Sequence, residues 1–216
     1  MKISKWALAG AAVAALGTVA YAQYRGNSEE PDYTSIQKDG AIELRDYPAL
    51  VVAEVTHIGD RRSAAGAGFR RLAAYIFAQD RPGAKIAMTA PVLQDQTQKI
   101  AMTSPVIQDA EQGGAWRTRF IMPPEYTLDT LPEAAEDITL TELPARRMAA
   151  IRFSGNGNGA DLRENEDLLR SWIAAQDGLS ITGEPEFAFY DAPMVPPPMR
   201  RNEVMIPVAS EKPLKR

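Results

Sequence analysis

Residues 46–59, DYPALVVAEVTHIG, decide the fold once they are laid over residues 142–155, ELPARRMAAIRFSG. At constant spacing Pro48 meets Pro144, Ala49 meets Ala145, Ala53 meets Ala149 and Gly59 meets Gly155. The first stretch, with Ala41–His57 around it, reads as two short strands or one bent at Pro48. The second reads the same way. A helical period follows each. Phe69, Leu72, Tyr75 and Ile76 recur at helical spacing within residues 63–79, and Leu169, Trp172 and Ile173 repeat the stripe within residues 161–176. Gly66 and Gly68 weaken the first helix at its start, and Arg81-Pro82-Gly83 ends it. After each helix come two extended segments. In the first half these are the KIAMT phrase and WRTRFIMP; in the second they are EFAFYDAP and RNEVMIPV. Strand–helix–strand–strand therefore occurs twice. Each half owns a sheet with one apolar face and a single helix to cover it. Pairing the halves curls their sheets together. The expected fold is α+β: a distorted β-barrel built from two pseudo-symmetric βαββ repeats and flanked by two helices.

A closer repetition sits inside the first half. Residues 85–98, KIAMTAPVLQDQTQ, are followed at once by KIAMTSPVIQDAEQ, residues 99–112. The repeat length is even, so in extended chain both copies keep Ile and Met on one face and Ala and Thr on the other. Met88 and Met102 thus read as packing, and the doubled phrase reads as a hairpin that extends the sheet beside the first helix.

Composition narrows the function. A chain of 216 residues with 45% hydrophobic content fits one domain, or two small ones folded as a unit. The net charge of -4 gives no basic footprint for nucleic acid. The absence of cysteine excludes disulfides, thiolate metal sites and a cysteine nucleophile. The single histidine, His57, excludes a multi-histidine metal site. Residues 1–22 differ in kind. Lys2 and Lys5 precede an apolar run from Trp6 to Ala22 that closes on Ala20-Tyr21-Ala22. This is either a cleaved signal peptide or an N-terminal membrane anchor. Either way the rest is expected to be exported, periplasmic or tethered to the inner membrane facing outward. Residues 23–34 read as a linker, 35–208 as the folded domain and 209–216 as a tail.

The phrases KIAMTAPV, WRTRFIMP, RFSG and above all YDAPMVPPPMRRNEVMIPV resemble the SOUL haem-binding protein family. The resemblance covers Tyr33 to Val208. It implies the two-repeat barrel deduced above and a non-enzymatic role in reversible, non-covalent binding of haem or a related tetrapyrrole. It also implies an apolar groove between the first helix and the loop before the last strand. By position, Phe69, Arg71 and Leu72 lie on that helix, and Tyr190, Met194 and Val195 on that loop. A porphyrin needs apolar walls for its faces and a cation at the rim for its carboxylates. Val195 stands where some members carry a lysine. The fold also resembles gyrase-inhibitor-like domains, some of them hydrolases, so a small-molecule hydrolase using the same saddle is the alternative.

Other residues invite chemistry and have plainer readings. His57 and the repeated methionines are of types that ligate haem iron. His57, however, shares a strand face with Val51, Ala53 and Val55, which reads as a core or rim position. Arg70 and Arg71 point about 100° apart on the helix. Arg200-Arg201-Asn202-Glu203 reads as a knot of charges paired across strands. Glu54, Asp191 and Glu203 suit a general base, but no spacing pairs them with a nucleophile. GNGNG, residues 155–159, lacks the context of a phosphate loop and reads as a strand-to-helix connection.

Overall fold

The computed structural model describes residues 29–97, 114–192 and 194–210. Four segments named above lie outside these: the leader at 1–22, the start of the linker, the second copy of the KIAMT phrase with Met102, and the end of the tail. The described chain carries β1 (Thr34–Asp39), β2 (Ile42–Tyr47), β3 (Leu50–Gly59), α1 (Arg61–Ile76), β4 (Val92–Thr97) and β5 (Gly114–Ile121). It continues through β6 (Thr139–Leu143), β7 (Arg146–Ser154), α2 (Gly159–Ala174), β8 (Leu179–Ile181), β9 (Glu186–Phe189) and β10 (Arg201–Ser210). Pro48 does separate two strands, β2 and β3. No helix among the described residues is long and apolar enough to cross a membrane.

Each helix starts where a side chain caps it. Asp60 accepts hydrogen bonds from the backbone N–H groups of Arg62 and Ser63. Asn158 does the same for Ala160 and Asp161, while Asp161 reaches back to the Asn158 N–H. The glycine-rich connection is therefore a capping device. Gly157 within it has a positive φ, and a Cβ there would lie 2.8 Å from the Phe189 ring.

The strands pair antiparallel in the order β1-β2-β7-β10-β9-β4-β5-β3-β6, with β8 on the end of β10. Register fixes the faces. Ile151, Val204, Phe187, Gln94, Thr118 and Val55 are successive direct partners across six strands. Directly paired residues share a face, so these six lie on one side. Both helices lie there too. α2 seats Leu162, Leu169 and Ile173 on Ala149, Ile151, Val204 and Ile206. α1 seats Leu72, Tyr75 and Ile76 on Ala53, Val55 and Phe120. The opposite face carries a third cluster, with Tyr47 and Met148 from one end of the strand order and Val52 from the other. Such distant strands meet only if the sheet curls.

The curl falls short of a barrel, which corrects the expectation. Among the described residues no pairing joins the β1 end to β6. β1 pairs with β2 and occupies the edge that closure would use. The packing reading of the KIAMT phrase holds for its first copy: Ile86 is buried beneath α1 and Met88 packs on the same cluster.

Gly68 explains a glycine in a helix interior. A Cβ built there would lie 2.6 Å from Thr118 Cβ, so α1 rests directly on β5. Gly66 meets nothing nearer than Arg70 Nη1 at 3.5 Å. Gly66→Ala is expected to stabilise by about 0.5–1 kcal/mol through helix propensity. Gly68→Ala gains the same propensity yet is expected to destabilise by about 1–3 kcal/mol through overpacking. Urea denaturation of both variants checks the contrast, and equal shifts would refute the close approach.

Candidate functional site

The face opposite the helices carries charge that the sequence pattern suggests for a solvated surface. At one end, Arg45 on β2 holds Glu203 on β10 through two bonds, Nη1–Oε2 at 2.7 Å and Nη2–Oε1 at 3.3 Å. It also pairs with Glu43 at 2.9 Å and donates to the Tyr47 hydroxyl at 3.2 Å. The Tyr190 hydroxyl donates to Glu203 at 2.8 Å. The Tyr33 ring lies 5.3 Å from Tyr47, with the Arg45 guanidinium 4.5 Å above it. Arg201 stacks on Tyr190 at 3.4 Å. Arg45 and Glu203 are both buried.

This end opens into a cavity of about 480 Å³. Tyr33 and Tyr190 supply its rings, Glu203, Glu43 and Arg45 its paired charges, and Lys38 and Arg152 further cations. Lys38 and Arg152 are exposed, and neither forms an ion pair among the described residues. Burial raises the Tyr190 phenol well above its ordinary pKa and pushes Tyr47 up to about 12. Burial also raises Tyr33. For Arg45 burial works against the charge, but the hydrogen bond and charge of Glu203 outweigh it and raise the pKa. The floor is thus phenols over an Arg45 guanidinium shared by Glu43 and Glu203. Four cations and three carboxylates line the cavity, which leaves an excess of one cation.

A second network closes the other end. Arg119 reaches Glu54 at 2.9 Å, Asp95 at 3.1 Å and Glu186 at 3.5 Å. Arg117 pairs with Asp95 at 2.7 Å and Arg146 with Glu186 at 2.5 Å. A cavity of about 690 Å³ lies beside it, lined by Thr56, Asp95, Arg117, Glu184 and Glu186 among others. Three arginines meet three carboxylates in this network, so the buried charges cancel. No group of residues suited to hold a metal occurs among the described residues.

The six residues placed by resemblance fall on different faces. Leu72 is fully buried under α1, and Phe69 stands half-exposed with its ring edge against Phe120, 5.4 Å away. Arg71 is held by Asp137, with bonds of 2.6 and 2.7 Å, and by Asp80. The hydrogen bonds it donates to Asp137 raise its pKa. These three belong to the helix side of the sheet. Tyr190 lines the cavity on the other side. Met194 is 86% exposed, and Val195 is buried with its carbonyl accepting from Arg200 Nε at 2.7 Å. The described contacts do not join the α1 group to Tyr190. His57 also sits on the helix side, paired across to Trp116, with a buried Nδ1 that has no hydrogen-bond partner among the described residues.

Sequence reasoning missed Tyr33, Lys38, Arg45, Tyr47 and Arg152. A usable signal was present. IELRDY in β2 alternates apolar Ile42 and Leu44 with Glu43, Arg45 and Tyr47, and RNEV in β10 opens on charges of both signs before its apolar run. Two strands that mix apolar residues with charges of both signs fit a buried polar face as well as a wet one. The Arg200–Glu203 knot was legible, since Glu203 and Arg201 both pair across to other segments.

The SOUL heme-binding protein model matches residues 28–207, most of the chain. The chain belongs to the SOUL heme-binding protein family. Haem or tetrapyrrole binding is a property of that family as a group. Solved structures show the same fold at low identity. The EcmrR C-terminal domain is 15% identical, with a TM-score of 0.58 over 82% of this chain and 98% of that one. A hydrolase encoded by lin2189 from Listeria innocua is 11% identical, with a TM-score of 0.53 over 78% of this chain and 91% of that one. No curated protein sequence matches this SOUL chain.

Proposed function

We propose that this chain reversibly binds haem or a related tetrapyrrole without covalent attachment, as a carrier or sequestering protein, and that the 480 Å³ cavity is the site. One observation carries this reading. The cavity combines the rings of Tyr33 and Tyr190 with two exposed cations, Lys38, which stands across from Glu43, and Arg152, which forms no ion pair among the described residues. Rings suit the faces of a macrocycle and cations suit its propionates. The volume lies within the range of small-molecule sites. The groove beside α1, with Phe69, Arg71 and Leu72, is the rival position, but there Arg71 already holds two carboxylates. The leader at residues 1–22 supports export, with the binding domain outside the inner membrane. The order β3–α1–β4–β5 has a counterpart in β7–α2–β9–β10, with β8 additional in the second half, which supports an internal duplication.

Hemin added to the purified protein is expected to give a saturable shift of the Soret band. Charge reversal at both Lys38 and Arg152 is expected to weaken binding about tenfold, the equivalent of 1.4 kcal/mol. Arg71→Glu is expected to leave it unchanged. Loss of binding in R71E alone would move the site to the α1 groove. Uptake no different from that of an unrelated apolar protein would end the tetrapyrrole reading.

A second reading rests on Glu203, which is 2% exposed and faces the cavity with Tyr190 beside it. A buried carboxylate and a phenol are the parts a hydrolase needs. Arg45 already occupies both oxygens of Glu203. Turnover of p-nitrophenyl esters that Glu203→Gln abolishes would establish this activity; its absence would remove it.

A further inference from the structure

The segment just before β1 lies against the cavity. The Glu29 carbonyl accepts from the Ala90 N–H at 2.9 Å, and Tyr33 stacks beside Arg45. Between them the Glu30 carboxylate pairs with Arg201 through Nη2, and both residues line the cavity. Arg201 is held flat on the Tyr190 ring, with its side chain 15% exposed. Its Nε is buried and has no acceptor among the described residues. A guanidinium presents Nε and Nη2 along one edge, spaced to receive both oxygens of a single carboxylate. Glu30 uses only one of those two positions. Its own side chain is 44% exposed, so the pair it makes is a weak one.

We propose that the Nε–Nη2 edge of Arg201 is a further carboxylate-binding position of the cavity, beside Lys38 and Arg152, and that Glu30 is a built-in competitor for it. A ligand carboxylate that enters displaces Glu30, satisfies both N–H groups and frees the segment before β1. The cavity is thereby tuned to carboxylate-bearing ligands, and occupancy is coupled to release of that segment. The inference rests on the reading of this cavity as a ligand site and adds its anchor and its restraint.

Glu30→Gln keeps the shape of the side chain and removes its charge. It is expected to tighten hemin binding by about twofold to fivefold, the span of an exposed ion pair. Hemin dimethyl ester, which has no free carboxylate, is expected to bind wild type and E30Q equally. Arg201→Lys keeps the charge and loses the fork, and is expected to weaken hemin binding at least about tenfold. A separate arm does without the tetrapyrrole. The Arg201 Nε–H signal in ¹⁵N spectra is expected to move downfield on titration with benzoate, at lower concentration in E30Q than in wild type. Hemin that fails to bind any of the proteins would overturn the tetrapyrrole reading, and the benzoate arm would still decide the competitor. Equal benzoate midpoints in the two proteins, or an Nε–H signal that ignores benzoate, would overturn the role of Glu30 and Arg201.

Discussion

Replacement of Arg45 by alanine is expected to destabilise the protein by about 3–5 kcal/mol, because it strands the buried Glu203 carboxylate without its cation. The geometry leaves Glu203 no substitute. It is 2% exposed, takes both of its close cationic contacts from Arg45, and otherwise has the Tyr190 hydroxyl. A lone phenol does not compensate a carboxylate taken out of water. Glu43, the second partner of Arg45, keeps only Lys38 across the strand pair. The double variant Arg45→Met with Glu203→Leu removes both charges and retains apolar volume. Such replacements are commonly neutral or stabilising, so the double variant is expected to recover most of the loss. Guanidinium denaturation of the wild type, two single variants and double variant gives the coupling directly. If R45A costs under about 1 kcal/mol, on the scale of surface ion pairs, the pair is not buried in solution. The same variants separate stability from binding, since the double variant is expected to fold while presenting an altered cavity floor.

The placement of these charges shows why the fold was more legible than the site. Apolar periodicity located β3, α1, β7, α2 and β10, because each buries an apolar stripe or face on a helix–sheet interface that the period records. The caps Asp60 and Asn158 set the helix starts about two residues earlier than that stripe suggests. β1 and β6 carry no such stripe. TSIQKD and TLTEL are edge segments largely open to solvent, and what makes them strands is a neighbour far along the chain. The openness of the sheet follows from β1 taking the edge of β2, a pairing that no local pattern encodes. The charged interior was hidden for a related reason. Arg117 and Arg119 alternate with Thr118 and Phe120, which is the signature of a strand with one wet face. Only the register that brings Glu54, Asp95 and Glu186 to the same side makes that face tolerable in a curled sheet. Tyr33 and Glu30 were assigned to a linker by composition. Their place at the cavity comes from what they touch.

Alkaline pH is expected to remove about 3 kcal/mol of stability through Tyr47 alone. Its phenol is 7% exposed, and burial pushes its pKa from 10.0 up to about 12. The native state therefore favours the neutral phenol more than the unfolded chain does. Stability from this source is fully present below pH 10, declines as the unfolded chain ionises above it, and is lost by about pH 12. Tyr190 adds in the same direction, since burial first and the Glu203 charge second raise it well above its ordinary value. The two rings share the Arg45–Glu203 pair, so their losses arrive together as one cooperative alkaline transition. Tyrosinate absorbance at alkaline pH is expected to show an exposed group of phenols titrating first, then a delayed step that coincides with loss of near-ultraviolet circular dichroism. Tyr47→Phe is expected to be less stable at neutral pH, because the hydroxyl that accepts from Arg45 is gone, and to lose less stability than wild type between pH 10 and pH 12. Complete titration of all tyrosines around pH 10, with the protein still folded, would show that the phenols lie open to water and that the cavity floor is wet.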